Sequence, residues 1–250
     1  MIGIISLIIF SFFLTDFVTD IAINNNSLMR SIRNNSNNYE ISSVSAIIEG
    51  NTIIPGIRGK KVDETDSYLN MKDFGEFNKN YLIYETIKPK ISLEDNKEKV
   101  IISGNKSKRN ISILIDNNID IIDYCNNNNI KYTKLLKMED DLINKDNVNI
   151  ESDIEKFNDL NTIMNKKNLN NNICLINYSN IKECVDNKYY LVKYSLEINN
   201  NNINNKLSKV DNGDIIYIND HLSKENFIVL TKFINSKDLK IIYLNDLIKE

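Results

Sequence analysis

The sequence predicts an α/β fold, on two observations. From Lys106 to the C-terminus, short apolar runs alternate with helical stretches. Within those stretches the apolar residues recur at three- and four-residue spacing, as one buried helix stripe requires. Strand–helix alternation of this kind needs right-handed crossovers and a mainly parallel sheet. Candidate strands are 111–115, 131–136, 148–150, 173–177, 189–193, 214–218 and 240–243. Candidate helices are 119–126, 152–167, 181–187, 224–236 and 244–249. After Ser152, the residues Ile154, Phe157, Leu160 and Met164 form one stripe, and Ser152 with Glu155 has the spacing of a capping box. Phe227, Leu230 and Ile234 repeat the stripe after Ser223. Seven strands in this span fit either a doubly wound sheet or a small, incomplete β/α barrel.

Composition narrows the function. With 31 Lys+Arg against 34 Asp+Glu the net charge is −3, which gives no reason to expect nucleic-acid binding, since neutralising phosphates needs a basic face. A single histidine excludes sites that need two, and with them most zinc hydrolase chemistry. Asparagine is the odd number, at 44 residues. Together with abundant Ile and Lys it reads as a coding bias, with runs such as Asn126–Asn129 and Asn199–Asn202 in surface loops. Cys125, Cys174 and Cys184 fit no metal spacing. Cys174 and Cys184 could pair, but all three read first as small buried apolar residues.

The chain divides into four stretches. Residues 1–20 carry the apolar run IGIISLIIFSFFL, extending to Val18, and residues 2–18 read as a membrane anchor. Residues 21–40, polar and Asn-rich, read as a flexible tether. That order implies a single-pass protein at the cell membrane with its C-terminal domain extracytoplasmic. Residues 41–104 form a β-rich lead-in, punctuated by Pro55, Gly56 and Gly59. Within it Tyr68, Met71, Phe74, Phe77, Tyr81 and Tyr84 recur at helical spacing and read as core on one or two short helices. Residues 105–250 form the α/β domain.

Two segments carry a family resemblance. NGDIIYINDHLSKENFIVLTKFINSKDLKIIYLNDLIKE (212–250) resembles the last strand–helix–strand–helix of the polysaccharide deacetylase (NodB-homology) family, and NISILIDNN (110–118) resembles its first strand. IIDYCNNNNIKYTKLL follows the family's next piece, so the resemblance spans 110–250 in order. It implies a small distorted (β/α)7-type barrel behind the membrane anchor and the lead-in.

The family's chemistry needs a base Asp, a metal-binding Asp, two His as further ligands, and a late His that protonates the leaving amine. On this resemblance Asp116 matches the base. Asn117 stands for the ligand Asp, Glu151 and Glu155 stand for the paired His, and Asn219 stands for the late His beside a retained Asp220. His221 lies two places beyond. The family's zinc, or a similar divalent ion, is therefore expected to be lost, and no cofactor is expected. Asp116, Asp220 and Asn219 are vestigial catalytic candidates, and Asp116 with Asn117 the ligand-binding pair. Glu151 and Glu155 are the residual metal candidates, through hard oxygen ligands. The resemblance then implies a catalytically degenerate protein that binds or scaffolds a cell-envelope glycan such as peptidoglycan. The alternative is an active metal-dependent N-deacetylase with a rebuilt carboxylate site.

Overall fold

Short apolar runs hold strands only where neighbours cover them, and the first hundred residues show this. In the computed structural model, which describes residues 18, 21–140, 146–151, 153–169, 172–176 and 181–250, helix α1 (Ser27–Ser36) comes first. The hairpin β1 (Ile47–Glu49) and β2 (Thr52–Ile54) follows, then β3 (Gly59–Asp63), α2 (Glu64–Met71), β4 (Ile83–Ile87) and β5 (Val100–Ile101). These elements belong to two units: residues 1–44 with 58–89, and residues 45–57 with 90–250.

In the smaller unit, β3 and β4 pair antiparallel, with Val62 opposite Tyr84. Leu28 and Ile32 of α1 bury with Val62, Met71 and Leu82, and Tyr39, Tyr68, Phe77 and Tyr84 pack on them. Asn26 caps α1 by accepting from the Leu28 amide at 2.8 Å. The flexible tether expected over 21–40 is thus replaced, at 27–36, by a packed helix. Its apolar residues Leu28, Met29 and Ile32 are few, and the flanking asparagines mask them, but all three are buried. The aromatic stretch is also corrected. Only 64–71 is α-helix, Tyr84 lies on a strand, and Phe74 and Tyr81 are exposed, stacked on each other at 5.0 Å.

The larger unit continues with β6 (Asn110–Ile115), α3 (Ile119–Asn127), β7 (Thr133–Leu136), β8 (Asn147–Asn149), α4 (Ile154–Lys166), β9 (Ile173–Leu175), α5 (Ile181–Asp186) and β10 (Tyr190–Val192). It closes with β11 (Leu196–Ile198), α6 (Ile203–Leu207), β12 (Ile215–Ile218), α7 (Lys224–Ser236), β13 (Lys240–Ile241) and α8 (Leu244–Ile248). One sheet runs β1-β2-β5-β10-β9, parallel except for the β1–β2 hairpin. The other runs β11-β12-β6-β7-β8, all parallel. There β13 pairs the first two residues of β6 and β7 the last two. The lead-in therefore supplies β1, β2 and β5 to the larger unit and is not a separate region.

Parallel strands covered on both faces read as unbroken apolar runs, and β6 is the example. Successive side chains alternate faces. Ile111, Ile113 and Ile115 join a cluster with Ile121 and Ile122 of α3 and Phe227, Leu230 and Ile234 of α7. Leu114 instead joins a cluster drawn from both sheets, with Ile53, Ile101, Leu135, Val148, Ile173, Leu175, Val192, Ile215 and Tyr217. The two sheets thus share one apolar interior. The described pairings do not link them into one closed ladder, so the expected fold stands as α/β with parallel sheets.

Helix α4 starts one residue later than the expected capping box. Asp153 is the cap, accepting from the Glu155 amide at 2.9 Å and the Lys156 amide at 3.2 Å, and Ser152 lies outside the described residues. Phe157, Leu160 and Met164 bury as expected, whereas Ile154 is exposed. Cys174 on β9 and Cys184 on α5 form a disulfide, Cα–Cα 6.1 Å, packed beside Phe157 and Leu191. The reading of both as free buried thiols is corrected: a strand and the helix that returns over it bring positions ten apart face to face. Cys125 remains a buried free thiol.

The single-pass membrane location is also corrected. Among the described residues no helix is long and apolar enough to cross a membrane. The anchor expected over 2–18 lies outside the described residues except for Val18. Its apolar run is also shorter than the about 20 residues a span requires.

Candidate functional site at the ends of β6 and β12

The C-terminal ends of parallel strands leave side chains unpaired beside loops, and sites in α/β folds form there. Asp116 follows β6 directly and is half buried. Burial raises its carboxyl above the ordinary range. Lys137 opposes the shift, Asp140 and Asp220 add to it, and Lys134 opposes it again. The structure thus brings Asp220 into electrostatic reach of Asp116, with Lys134, Lys137 and Asp140 from β7 and the residues after it.

Asn117 is exposed. The next residue, Asn118, is buried and joins the strand ends. Its Oδ1 accepts from the Ile121 amide at 3.2 Å, capping α3. Its Nδ2 donates to the Leu222 carbonyl at 2.9 Å and the Asp220 carbonyl at 3.3 Å. One amide therefore ties the end of β6 to the loop after β12. No motif in the sequence singled out this residue. A local signal was present all the same, an Asn directly before an apolar helical run.

Asn219 is half buried, and its Oδ1 accepts from the His221 amide at 3.1 Å in a local turn. Asp220 is exposed and His221 more so, with Nε2 3.5 Å from Asp220 Oδ1 and 82% of the imidazole side chain accessible. This histidine is a solvent-facing loop residue, not a group enclosed in a site.

Residues 137–140, after β7, are held by Asp140 and by Glu151, which follows β8. Lys134 Nζ lies 3.4 Å from Asp140 with side chains 9% and 15% exposed. Asp140 also accepts from the Lys137 amide at 2.8 Å. Glu151 Oε1 accepts from the Met138 amide at 2.8 Å, and the Glu151 amide donates to Asn149 Oδ1 at 3.0 Å. Asn149 in turn donates to the Phe157 carbonyl and to Asn161 Oδ1, at 2.8 and 3.1 Å. Glu155 stands exposed in the first turn of α4. Among the described residues, no three His, Cys, Asp or Glu side chains are grouped to hold a metal ion.

Tyr217 of β12 lies on the shared interior face and stacks on Tyr194 at 5.2 Å. The Tyr194 hydroxyl lies 3.5 Å from Glu197.

Parallel sheets joined by helical returns, with an acid at the end of β6, make an α/β fold that resembles those of CE4 deacetylase-type structures. The fold is shared with wild-type BA3943, a CE4 family pseudoenzyme from Bacillus anthracis: 17% identity, TM-score 0.58, covering 89% of this chain and 95% of that one. A BA3943 mutant with restored enzymatic activity matches alike, at 17% identity and TM-score 0.57 over 89% of this chain and 98% of that one. At such identity the likeness is one of fold. By sequence, the uncharacterized protein YlxY of Bacillus subtilis (strain 168) is 38% identical over 63 residues, 25% of this chain. The match spans 20% of that relative's length. No protein-family model matches the chain.

Proposed function

We propose that this protein is a catalytically degenerate deacetylase-like protein that binds an N-acetylated glycan of the peptidoglycan type at the ends of β6 and β12, without turnover. The observation that carries the reading is the state of the site. On the resemblance, Asp116 stands at the family's base position, and Asn117 and Asn219 stand where that family has a metal-binding acid and a proton-donating His, while the structure adds a half-buried Asp116 beside Asp220. A neutral amide oxygen is a weaker metal ligand than a carboxylate, and an amide donates no proton to a leaving group at neutral pH. The fold shared with a CE4 family pseudoenzyme supports the same reading.

What remains is suited to recognition. A half-buried Asp116 carboxyl, raised by burial, can accept a sugar hydroxyl or amide hydrogen bond. Asn117 is exposed and offers both a donor and an acceptor. Of the metal candidates Asp116, Glu151 and Glu155, Glu151 is already engaged with the Met138 amide, and among the described residues no three acids, His or Cys are grouped to hold an ion. No step of the proposed role runs through a metal.

The test is retention of the purified protein on insoluble peptidoglycan and on chitin, compared with Asp116→Ala. Retention that the substitution abolishes supports the reading. No retention on either polymer overturns the binding role. Acetate released from an N-acetylated oligosaccharide overturns the absence of turnover.

A further inference from the structure

A second site lies at the other end of β6. A pocket of about 670 Å³ is lined by Ser107, Lys108, Arg109, Asn110, Asp238, Lys240 and Ile242. Asn110 opens β6 and Asp116 follows its last residue, so the two sites are separated by a strand length, about 20 Å. The pocket is formed where the turn Lys106–Lys108 enters β6 and where β13 pairs with the first residues of that strand.

We propose that this pocket binds a small organic phosphate monoester, independently of any glycan at Asp116. Three features carry the proposal. The first is charge. Lys108, Arg109 and Lys240 line the pocket against one carboxylate, Asp238. That leaves a net charge of about +2, the complement of a phosphate monoester near neutral pH.

The second is preorganisation. Arg109 donates to the Lys237 carbonyl at 2.8 Å, and Lys108 Nζ to the Lys249 carbonyl at 2.8 Å. Two of the three cations are therefore held by main-chain oxygens, which fix position without neutralising charge. Arg109 also lies 3.6 Å from Asp238, with side chains 58% and 87% exposed. An ion pair so open to water is weak and is displaced readily by an incoming anion. Lys240 is exposed and has no ion-pair partner among the described residues.

The third is an unmet cost. Burial lowers the Lys108 pKa, the Glu250 carboxylate opposes that shift, and Lys249 adds to it. An ammonium partly stripped of water gains from an anion placed beside it. Ser107 and Asn110 supply neutral donors on the same wall. The volume exceeds what a bare phosphate needs, which leaves room for an organic body beside the phosphate.

The test is calorimetric titration of the full chain with glucose 6-phosphate, inorganic phosphate and glucose. Glucose 6-phosphate is expected to bind once per chain, inorganic phosphate about tenfold more weakly, and glucose not at all. Lys240→Glu lowers affinity at least tenfold, since it turns the net charge toward zero. Asp238→Asn raises affinity several-fold, because it removes the competing carboxylate. Asp238 has φ 55°, a conformation Asn adopts well, so this variant keeps its fold. Asp116→Ala leaves the affinity unchanged. The proposal is overturned by absence of saturable binding, by equal binding of inorganic phosphate or glucose, or by binding indifferent to Lys240→Glu and Asp238→Asn.

Discussion

Removing the Asn118 side chain tests the link between the two strand ends. Asn118→Ala deletes the cap on the Ile121 amide and both donations to the Asp220 and Leu222 carbonyls. A lost cap costs about 1 kcal/mol. The Leu222 carbonyl accepts in a buried setting, and leaving such a group unpaired costs about 1–2 kcal/mol. The 3.3 Å contact to Asp220, nearer the solvent, adds little. The total is about 2–3 kcal/mol, or a fall in Tm of about 5–10 °C for a domain of this size. Asn118→Ser keeps a capping oxygen but cannot reach the carbonyls, so it should recover about 1 kcal/mol. Urea unfolding at neutral pH, with thermal scans as a second measure, reads both. A loss under about 1 kcal/mol for Ala, or no difference between Ala and Ser, would refute the assignment of Asn118 as the tie.

Because burial raises Asp116, the folded state holds more protons than the unfolded one from the ordinary Asp range up to the raised value. Its contribution to stability therefore declines as pH climbs through that window. Asp116→Asn removes this slope, so its advantage over the parent should be absent in acid and present at neutral pH, and a pH-independent difference contradicts the cause given. Burial pushes the Cys125 thiol up to about 12, so a thiol reagent should find no reactive group in the native protein and a single one after denaturation. Three would exclude the disulfide, and Cys174→Ser with Cys184→Ser should cost about 2–3 kcal/mol. Gly213 has φ +84° and a Cβ there would strike the Gly104 carbonyl, whereas Gly50, φ +58°, has open space around it. Gly213→Ala should therefore cost well above the about 1 kcal/mol of left-handed strain expected for Gly50→Ala, and equal losses by thermal unfolding would count against the close approach.

The elements legible in the sequence are those whose own pattern suffices. The run at β6 and the stripe Phe227, Leu230, Ile234 declare a buried strand and an amphipathic helix without outside help, and both stand where expected. Asp116 and Asp220 were placed by order along the chain, and the strand ends bring them into electrostatic reach of each other. Shorter elements were missed. β11 has three residues and α6 five, and the Asn run between them hides both. Helix α1 was lost for the same reason: asparagines surround its few apolar residues, and a short helix needs only those few to bury one face.

What the sequence by itself determined is the alternation of strands and helices and the acid at the end of the first long strand. These follow from local periodicity and residue chemistry, which neighbouring residues alone specify. Only tertiary structure decided that the lead-in strands join the larger unit, that Cys174 meets Cys184, that Asn118 reaches across to the β12 loop, and that cations from two distant segments share one pocket. Each of these is a pairing of positions far apart on the chain or on different elements, and their register is set by packing that no local pattern encodes.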